Sequence, residues 1–177
     1  MILYFLIPFT IIISLAYFYS KSKTKKMIYE TLFKLSEQNS FSIQKSNNKL
    51  CDFILENENN IIYIKYISIP KNSSITINSK TTWCLRYGGG NRAGRAYPNK
   101  EYLSDLSNFL KKDFVSDKNV RKIVLVYPST EKLLKYINES EIITVKQSDI
   151  VYGTQIIMFS SIDQFLFEST PHHHWFC

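Results

Sequence analysis

From Met1 to Tyr19 the chain has no charged side chain and consists mostly of Ile, Leu, Phe and Tyr. As a helix this run would be about 28 Å long at 1.5 Å per residue, close to the roughly 30 Å hydrocarbon core of a bilayer. The pattern predicts a transmembrane anchor over residues 1–20. Pro8 fits such a helix, because membrane helices accept proline, and Tyr17, Phe18 and Tyr19 fit an interfacial aromatic belt. A cleaved signal peptide fits less well: no Lys or Arg precedes the apolar run, and there is no convincing small-x-small cleavage site. A buried core helix is the third reading.

Beyond this run, helix and strand patterns alternate. Met27, Thr31, Leu32 and Leu35 have the spacing of an amphipathic helix over 26–38, and a short strand follows at 41–44. Residues 52–56 and 61–69 predict a β-hairpin across the turn Asn57-Glu58-Asn59-Asn60, and Pro70 ends it. Further strands are expected at 74–78 and 81–87, before Gly88-Gly89-Gly90 and an irregular loop reaching Pro98. Asn99 is a good N-cap for a helix over 99–112, with Leu103, Leu106, Phe109 and Leu110 on its inner face. Residues 122–127 form a continuous apolar run typical of a strand buried on both faces. A helix over 130–137, strands over 141–145 and 155–159, and a short helix opened by the capping-box spacing Ser161-Ile162-Asp163-Gln164 complete the series. This order predicts an α/β domain over 27–168, with a mixed central sheet flanked by helices, preceded by one transmembrane helix and followed by a tail over 169–177.

Composition adds exclusions. The chain has 177 residues, 45% hydrophobic and 21% charged, which fits one globular domain and rules out wholesale disorder. Three scattered cysteines (Cys51, Cys84 and Cys177) make neither a disulfide framework nor a C-x-x-C zinc site. No histidine lies inside the domain to serve a serine or cysteine nucleophile as base. His172, His173 and His174 sit in the tail, read as incidental.

Charge divides the chain. The net is +7 overall, yet residues 1–100 carry +9 and the remainder −2. Lys21, Lys23, Lys25 and Lys26 form a basic juxtamembrane segment over 21–26. The positive-inside rule then places the N-terminus outside and the domain in the cytoplasm of a single-pass membrane protein. The second cluster, Arg86, Arg92, Arg95 and Lys100, lies in a stretch with no acidic residue between Glu58 and Glu101. Arginine forks suit phosphates, and the nearby aromatics Trp83, Tyr87 and Tyr97 suit unpaired bases, so these four cations are candidate nucleic-acid contacts. The glycine-rich segment 88–94 is not a dinucleotide fingerprint, since Pro98 and a polar stretch separate it from the next helix, and no Lys-Ser or Lys-Thr makes it a Walker loop.

One constellation carries sharper chemistry. Asp52 opens the first strand of the hairpin, and Lys65 lies midway along its partner. Metal-dependent phosphodiester cleavage needs acidic ligands for Mg²⁺ and a cation beside the attacking water. The helix bearing Glu30, the strand Cys51-Asp52-Phe53-Ile54-Leu55, the strand segment Tyr63-Ile64-Lys65, the tryptophan-bearing strand and loop from Trp83 to Tyr97, the segment Pro98-Asn99 and the apolar strand ending at Tyr127 follow in the order of a known family. The chain resembles the PD-(D/E)xK nuclease superfamily and, within it, the nuclease-related domain, over about residues 26–168.

The resemblance implies a restriction-endonuclease-like fold, Glu30 and Asp52 as ligands of Mg²⁺, and Lys65 as the catalytic cation. The sequence departs from the family at one decisive point: Tyr63 stands where the acid of the Glu-x-Lys motif belongs, and a phenol supplies no carboxylate at neutral pH. The glutamine expected in the helix after the loop is also missing; Lys100 and Glu101 stand near that point. The expectation is therefore a membrane-anchored, cytoplasmic-facing nuclease-like domain, degenerate in its centre, that acts on or binds DNA or RNA. The alternative is a non-enzymatic membrane-tethered scaffold for a protein or anionic-lipid partner.

Overall fold

The computed structural model describes residues 2–88, 98–130, 132–138, 141–147 and 149–167. Arg92, Arg95 and the tail with its three histidines lie outside the described residues. The chain opens with one unbroken helix, α1 (Ile2–Gln38). Among the described residues, no helix is long and apolar enough to cross a membrane. That finding overturns the expected transmembrane helix over 1–20, and with it the single-pass placement with an outside N-terminus and a cytoplasmic domain. The apolar run is not a separate element: the same helix continues through Lys21, Lys23, Lys25 and Lys26 and docks on the domain, where Ile28 and Leu32 are fully buried.

Where a single central sheet was expected, the strands form two mixed sheets. The first contains β1 (Ser42–Lys45), β2 (Phe53–Glu56), β3 (Asn60–Ser68), β7 (Asn119–Tyr127), β10 (Ile150–Val151) and β11 (Thr154–Met158), in the order β1-β2-β3-β7-β11-β10. β1, β2 and β3 pair antiparallel, whereas β3, β7 and β11 run parallel. The second sheet contains β4 (Ser73–Ile77), β5 (Trp83–Tyr87), β6 (Asn99–Tyr102), β8 (Lys132–Asn138) and β9 (Glu141–Thr144), in the order β6-β5-β4-β8-β9. Two of the chain's passages between the sheets are direct bends. β3 passes through Pro70 into β4, and β7 passes through Pro128 into β8, and each pair stays parallel on both sides of the bend. Ile69 N donates to Tyr127 O at 2.8 Å, and Thr130 Oγ1 donates to Ser73 O at 2.6 Å, tying the two segments together where they turn.

The centre of the first sheet is buried on both faces, which explains the continuous apolar runs in β3 and β7. One face packs under α1 and α3 (Ile162–Phe165) through Ile28, Leu32, Phe53, Ile64, Leu125 and Ile162. The other packs against α2 (Ser104–Lys111) and the second sheet through Leu106, Phe109, Val124, Ile75, Trp83 and Leu133. Two expected helices are corrected here. Residues 132–137 belong to β8 instead, because Leu133 pairs with Ile75 of β4 and both enter the core between the sheets. The helix expected from Asn99 begins only at Ser104: residues 99–102 first pair with β5, and Leu103 N donates to Trp83 O at 3.0 Å.

Candidate functional site

The hairpin β2–β3 brings the two principal candidates together. Phe53 lies opposite Ile64, so one step back along β2 and one step on along β3 place Asp52 beside Lys65. Their side chains form an ion pair at 3.5 Å, both mostly buried. Tyr66 N donates to Asp52 Oδ2 at 3.1 Å. Lys65 Nζ also donates to Lys49 O at 3.1 Å, in the segment leading into β2. The second carboxylate oxygen is taken from above: Lys25 Nζ of α1 donates to Asp52 Oδ1 at 2.8 Å. Lys25 also lies 5.8 Å from the Phe53 ring centroid, so its stem runs over the first residue of β2.

Glu30, expected as a second ligand, is not the residue by which α1 reaches Asp52. Five residues beyond Lys25, it is turned about 140° around the helix axis. There it is exposed and pairs with Lys26 at 3.8 Å. Glu56, the other acid of the hairpin, pairs with Lys118 at 2.8 Å, and Lys118 also donates to Asn57 O at 2.7 Å. Among the described residues, no group of three His, Cys, Asp or Glu side chains could hold a metal ion. Mg²⁺ prefers an octahedron of hard oxygens. The centre offers one carboxylate, with an ammonium group on each of its oxygens, and this donor set does not fit Mg²⁺.

Tyr63, where the resemblance leads one to expect an acid, is turned to packing. Its ring stacks on Phe114, centroids 3.9 Å apart and planes 13° from parallel. Burial raises its phenol above the ordinary tyrosine value, and the nearby Cys51 and Glu56 push the same way. Beside this stack, Lys122 of β7 lies opposite Tyr63 in the strand register. Its ammonium donates to Leu110 O and Lys112 O, both at 2.9 Å, at the C-terminal end of α2. A cation there complements the helix dipole and satisfies carbonyls that have no intrahelical partner. Burial nevertheless lowers the Lys122 pKa, Asp113 raising it and Lys80 lowering it by smaller amounts.

The described members of the second candidate group lie on the other sheet. Arg86 of β5 and Lys100 of β6 are direct cross-strand partners. They line a groove of about 580 Å³ on the second sheet, together with Ser74, Thr76, Lys132 and Tyr136. Three participants escaped the sequence reading. Lys25 sits within a lysine cluster that looks like a topology signal, and nothing but the docking of α1 singles it out. Lys132 and Tyr136 were placed on a helix, where they would not share a face with Arg86. No family model, no curated protein and no solved structure matches this chain.

Proposed function

We propose that the protein is a nucleic-acid-binding domain built on a nuclease-like core whose cleavage centre has been converted into an internal ion-pair cluster. The observation that carries the reading is the meeting of Asp52 and Lys65 at 3.5 Å on adjacent strands. The chain order around them supports it: a helix, three antiparallel strands, a crossover containing β4, β5, β6 and α2, then a strand parallel to the third. That is the arrangement the resemblance to PD-(D/E)xK nucleases implies. In such a centre a pair of carboxylates would hold the metal and the lysine would face the scissile phosphate. Here Tyr63 has no carboxylate and is engaged with Phe114, while Lys25 enters as a second ammonium. Two cations against one carboxylate leave a net positive charge, unsuited to Mg²⁺.

The test uses the whole chain with end-labelled single- and double-stranded DNA and RNA, in Mg²⁺, in Mn²⁺ and in EDTA. Binding is read by fluorescence anisotropy and cleavage on denaturing gels. The expected result is binding that weakens steeply with salt, with the substrate intact in every metal condition. Metal-dependent cleavage that disappears in Asp52→Ala would restore a nuclease. Failure to bind any of the four nucleic acids would refute nucleic-acid recognition altogether.

A further inference from the structure

The second sheet turns one face to the core and, among the described residues, leaves the other uncovered. Ile75, Ile77, Trp83, Leu85 and Leu133 point inward. The alternate positions form rows across the strands on the opposite face. Lys100 pairs with Arg86, Arg86 with Ser74, and Ser74 with Lys132, so one row crosses β6, β5, β4 and β8. The next row runs Tyr102, Cys84, Thr76 and Leu134. At strand spacings of about 4.8 Å, the first row sets three cations along roughly 14 Å. Its floor is small: Ser74 and Cys84 are buried beneath the longer side chains around them. The result is the groove described above, and among the described residues its lining contains no acidic one.

Lys25, Lys26, Lys65, Lys80 and Lys118 each hold an acidic partner. Arg86, Lys100 and Lys132 form no ion pair among the described residues. Like charges on neighbouring strands destabilise a sheet, so a row of them without counter-charge fits a surface that meets an anion. Aromatic groups accompany them. Tyr136 lines the groove, and Tyr102 is 55% exposed with the Lys100 ammonium 5.0 Å from its ring centroid. Cations in a row with tyrosines beside them match a single-stranded polynucleotide, whose phosphates seek the cations and whose unstacked bases seek aromatic faces. A duplex keeps its base faces stacked and would use only the cations.

We propose that this face of the second sheet is a groove for single-stranded nucleic acid, with Arg86, Lys100 and Lys132 on the phosphates and Tyr136 and Tyr102 against bases. The proposal rests on the reading of the protein as a nucleic-acid binder and adds the place and the form of the ligand.

The experiment titrates the full chain into a labelled oligo-dT of about 20 nucleotides, long enough to exceed one single-strand site, and into a duplex of equal length. Four forms are compared: wild type, Arg86→Gln with Lys132→Gln, Tyr136→Ala, and a control carrying Lys26→Gln with Lys118→Gln. Single strands contribute about 0.7 to the salt slope per phosphate contact, so losing two contacts lowers the slope by about 1.4 and weakens binding about tenfold at physiological salt. Tyr136→Ala should weaken oligo-dT about fivefold and leave the duplex unchanged. The control pair removes the same net charge and should move affinity less than about twofold, since its cations lie off the groove and contribute only through screened long-range attraction. A wild-type chain that binds no nucleic acid overturns both readings. Binding that the groove variants leave intact, with their thermal unfolding unchanged, overturns only the groove. Preference for vesicles of equimolar phosphatidylserine and phosphatidylcholine over oligo-dT, lost in the Arg86 and Lys132 pair, replaces the nucleic acid with a lipid surface and overturns the proposal. If the Arg86 and Lys132 pair unfolds, Lys100→Gln takes its place, with an expected slope loss of about 0.7.

Discussion

Replacing Asp52 with asparagine separates a structural counter-ion from a metal ligand. The substituted amide keeps the shape of the side chain and an oxygen for the Tyr66 N–H, and loses only the charge that faces Lys25 and Lys65. At 3.5 Å and an effective dielectric near 20, the Coulomb attraction to Lys65 is about 5 kcal/mol before desolvation. Both side chains are only 15% exposed, and the cost of burying them cancels most of that, leaving about 1 kcal/mol. The Lys25 pair is shorter, but Lys25 is 46% exposed, and solvent screening reduces it to about 0.5 kcal/mol. Weakening the charge-assisted bond from Tyr66 N adds about 0.5 kcal/mol. The total is a destabilisation of about 2 kcal/mol, or roughly 4–8 °C in Tm for a chain of this size. Urea unfolding at neutral pH should show a lower midpoint with an unchanged slope. A cycle with Lys65→Met should return a coupling of about 1 kcal/mol. Carboxylates gathered for a metal repel one another, and neutralising one of them stabilises the apo-protein. Unchanged or increased stability in Asp52→Asn would therefore refute the counter-ion argument. So would a rise in wild-type Tm on adding Mg²⁺ that Asp52→Asn abolishes, since only a ligand bound to the native state shifts the equilibrium that way.

Two further substitutions probe the groups around Tyr63. Lys122→Met takes the donor from Leu110 O and Lys112 O and should cost about 1–2 kcal/mol net of the relieved charge burial; amide exchange should localise the loss to the last turn of α2, and a more stable variant would contradict it. The Lys122 pKa is lowered in the folded state, so between that value and the unfolded one near 10.4 the unfolded chain binds more protons and stability rises with pH; Lys122→Met should remove that rise in denaturation midpoints measured across alkaline pH. Tyr63 has the opposite sign. Its raised value contributes stability that is intact below about pH 10 and is lost as pH climbs through the folded pKa, so Tyr63→Phe should flatten the fall above about pH 10. An equal fall in both proteins would place the alkaline loss elsewhere.

The parts of this fold that could be read from the chain are those whose pattern is set locally. The run Ile61-Ile62-Tyr63-Ile64 is β-branched and aromatic, and it becomes β3; residues 122–127 become the buried centre of β7. A four-residue turn joins 52–56 to 61–69, and that alone brings Asp52 next to Lys65. The misread parts depend on distant partners. Leu133, Tyr136 and Ile137 have helical spacing, yet the segment enters the second sheet as a strand because β7 delivers it beside β4 after the bend at Pro128. With 130–137 read as a helix, the row joining Lys132 to Arg86 could not be seen. Asn99 has the side chain of an N-cap, but pairing with β5 claims its backbone first. The apolar run at 1–19 has the length of a membrane span, and hydropathy counted over that window cannot register that the same helix continues into a docked, lysine-bearing half. The lysines read there as a topology signal include the one that closes on Asp52.

Several cations around the first sheet are already engaged in internal contacts. Around the first sheet, Lys25 and Lys65 are committed to Asp52, Lys118 to Glu56, and Lys122 to the carbonyls ending α2. These interactions hold α1, the hairpin and α2 to one another. In the second sheet the row Lys100–Arg86–Ser74–Lys132 holds no such partner among the described residues and faces outward. The joined bends from β3 into β4 and from β7 into β8 connect the two through continuous paired strands. The Asp52–Lys65 cluster is thus tied up in internal contacts, while the row of cations without an ion-pair partner among the described residues stands on the second sheet. On that arrangement, Asp52→Asn should lower stability and leave oligonucleotide affinity within about twofold, because only screened long-range attraction links the two sites, whereas the Arg86 and Lys132 pair should do the reverse. Parallel loss of both properties in either variant would mean that the two sheets act as one site.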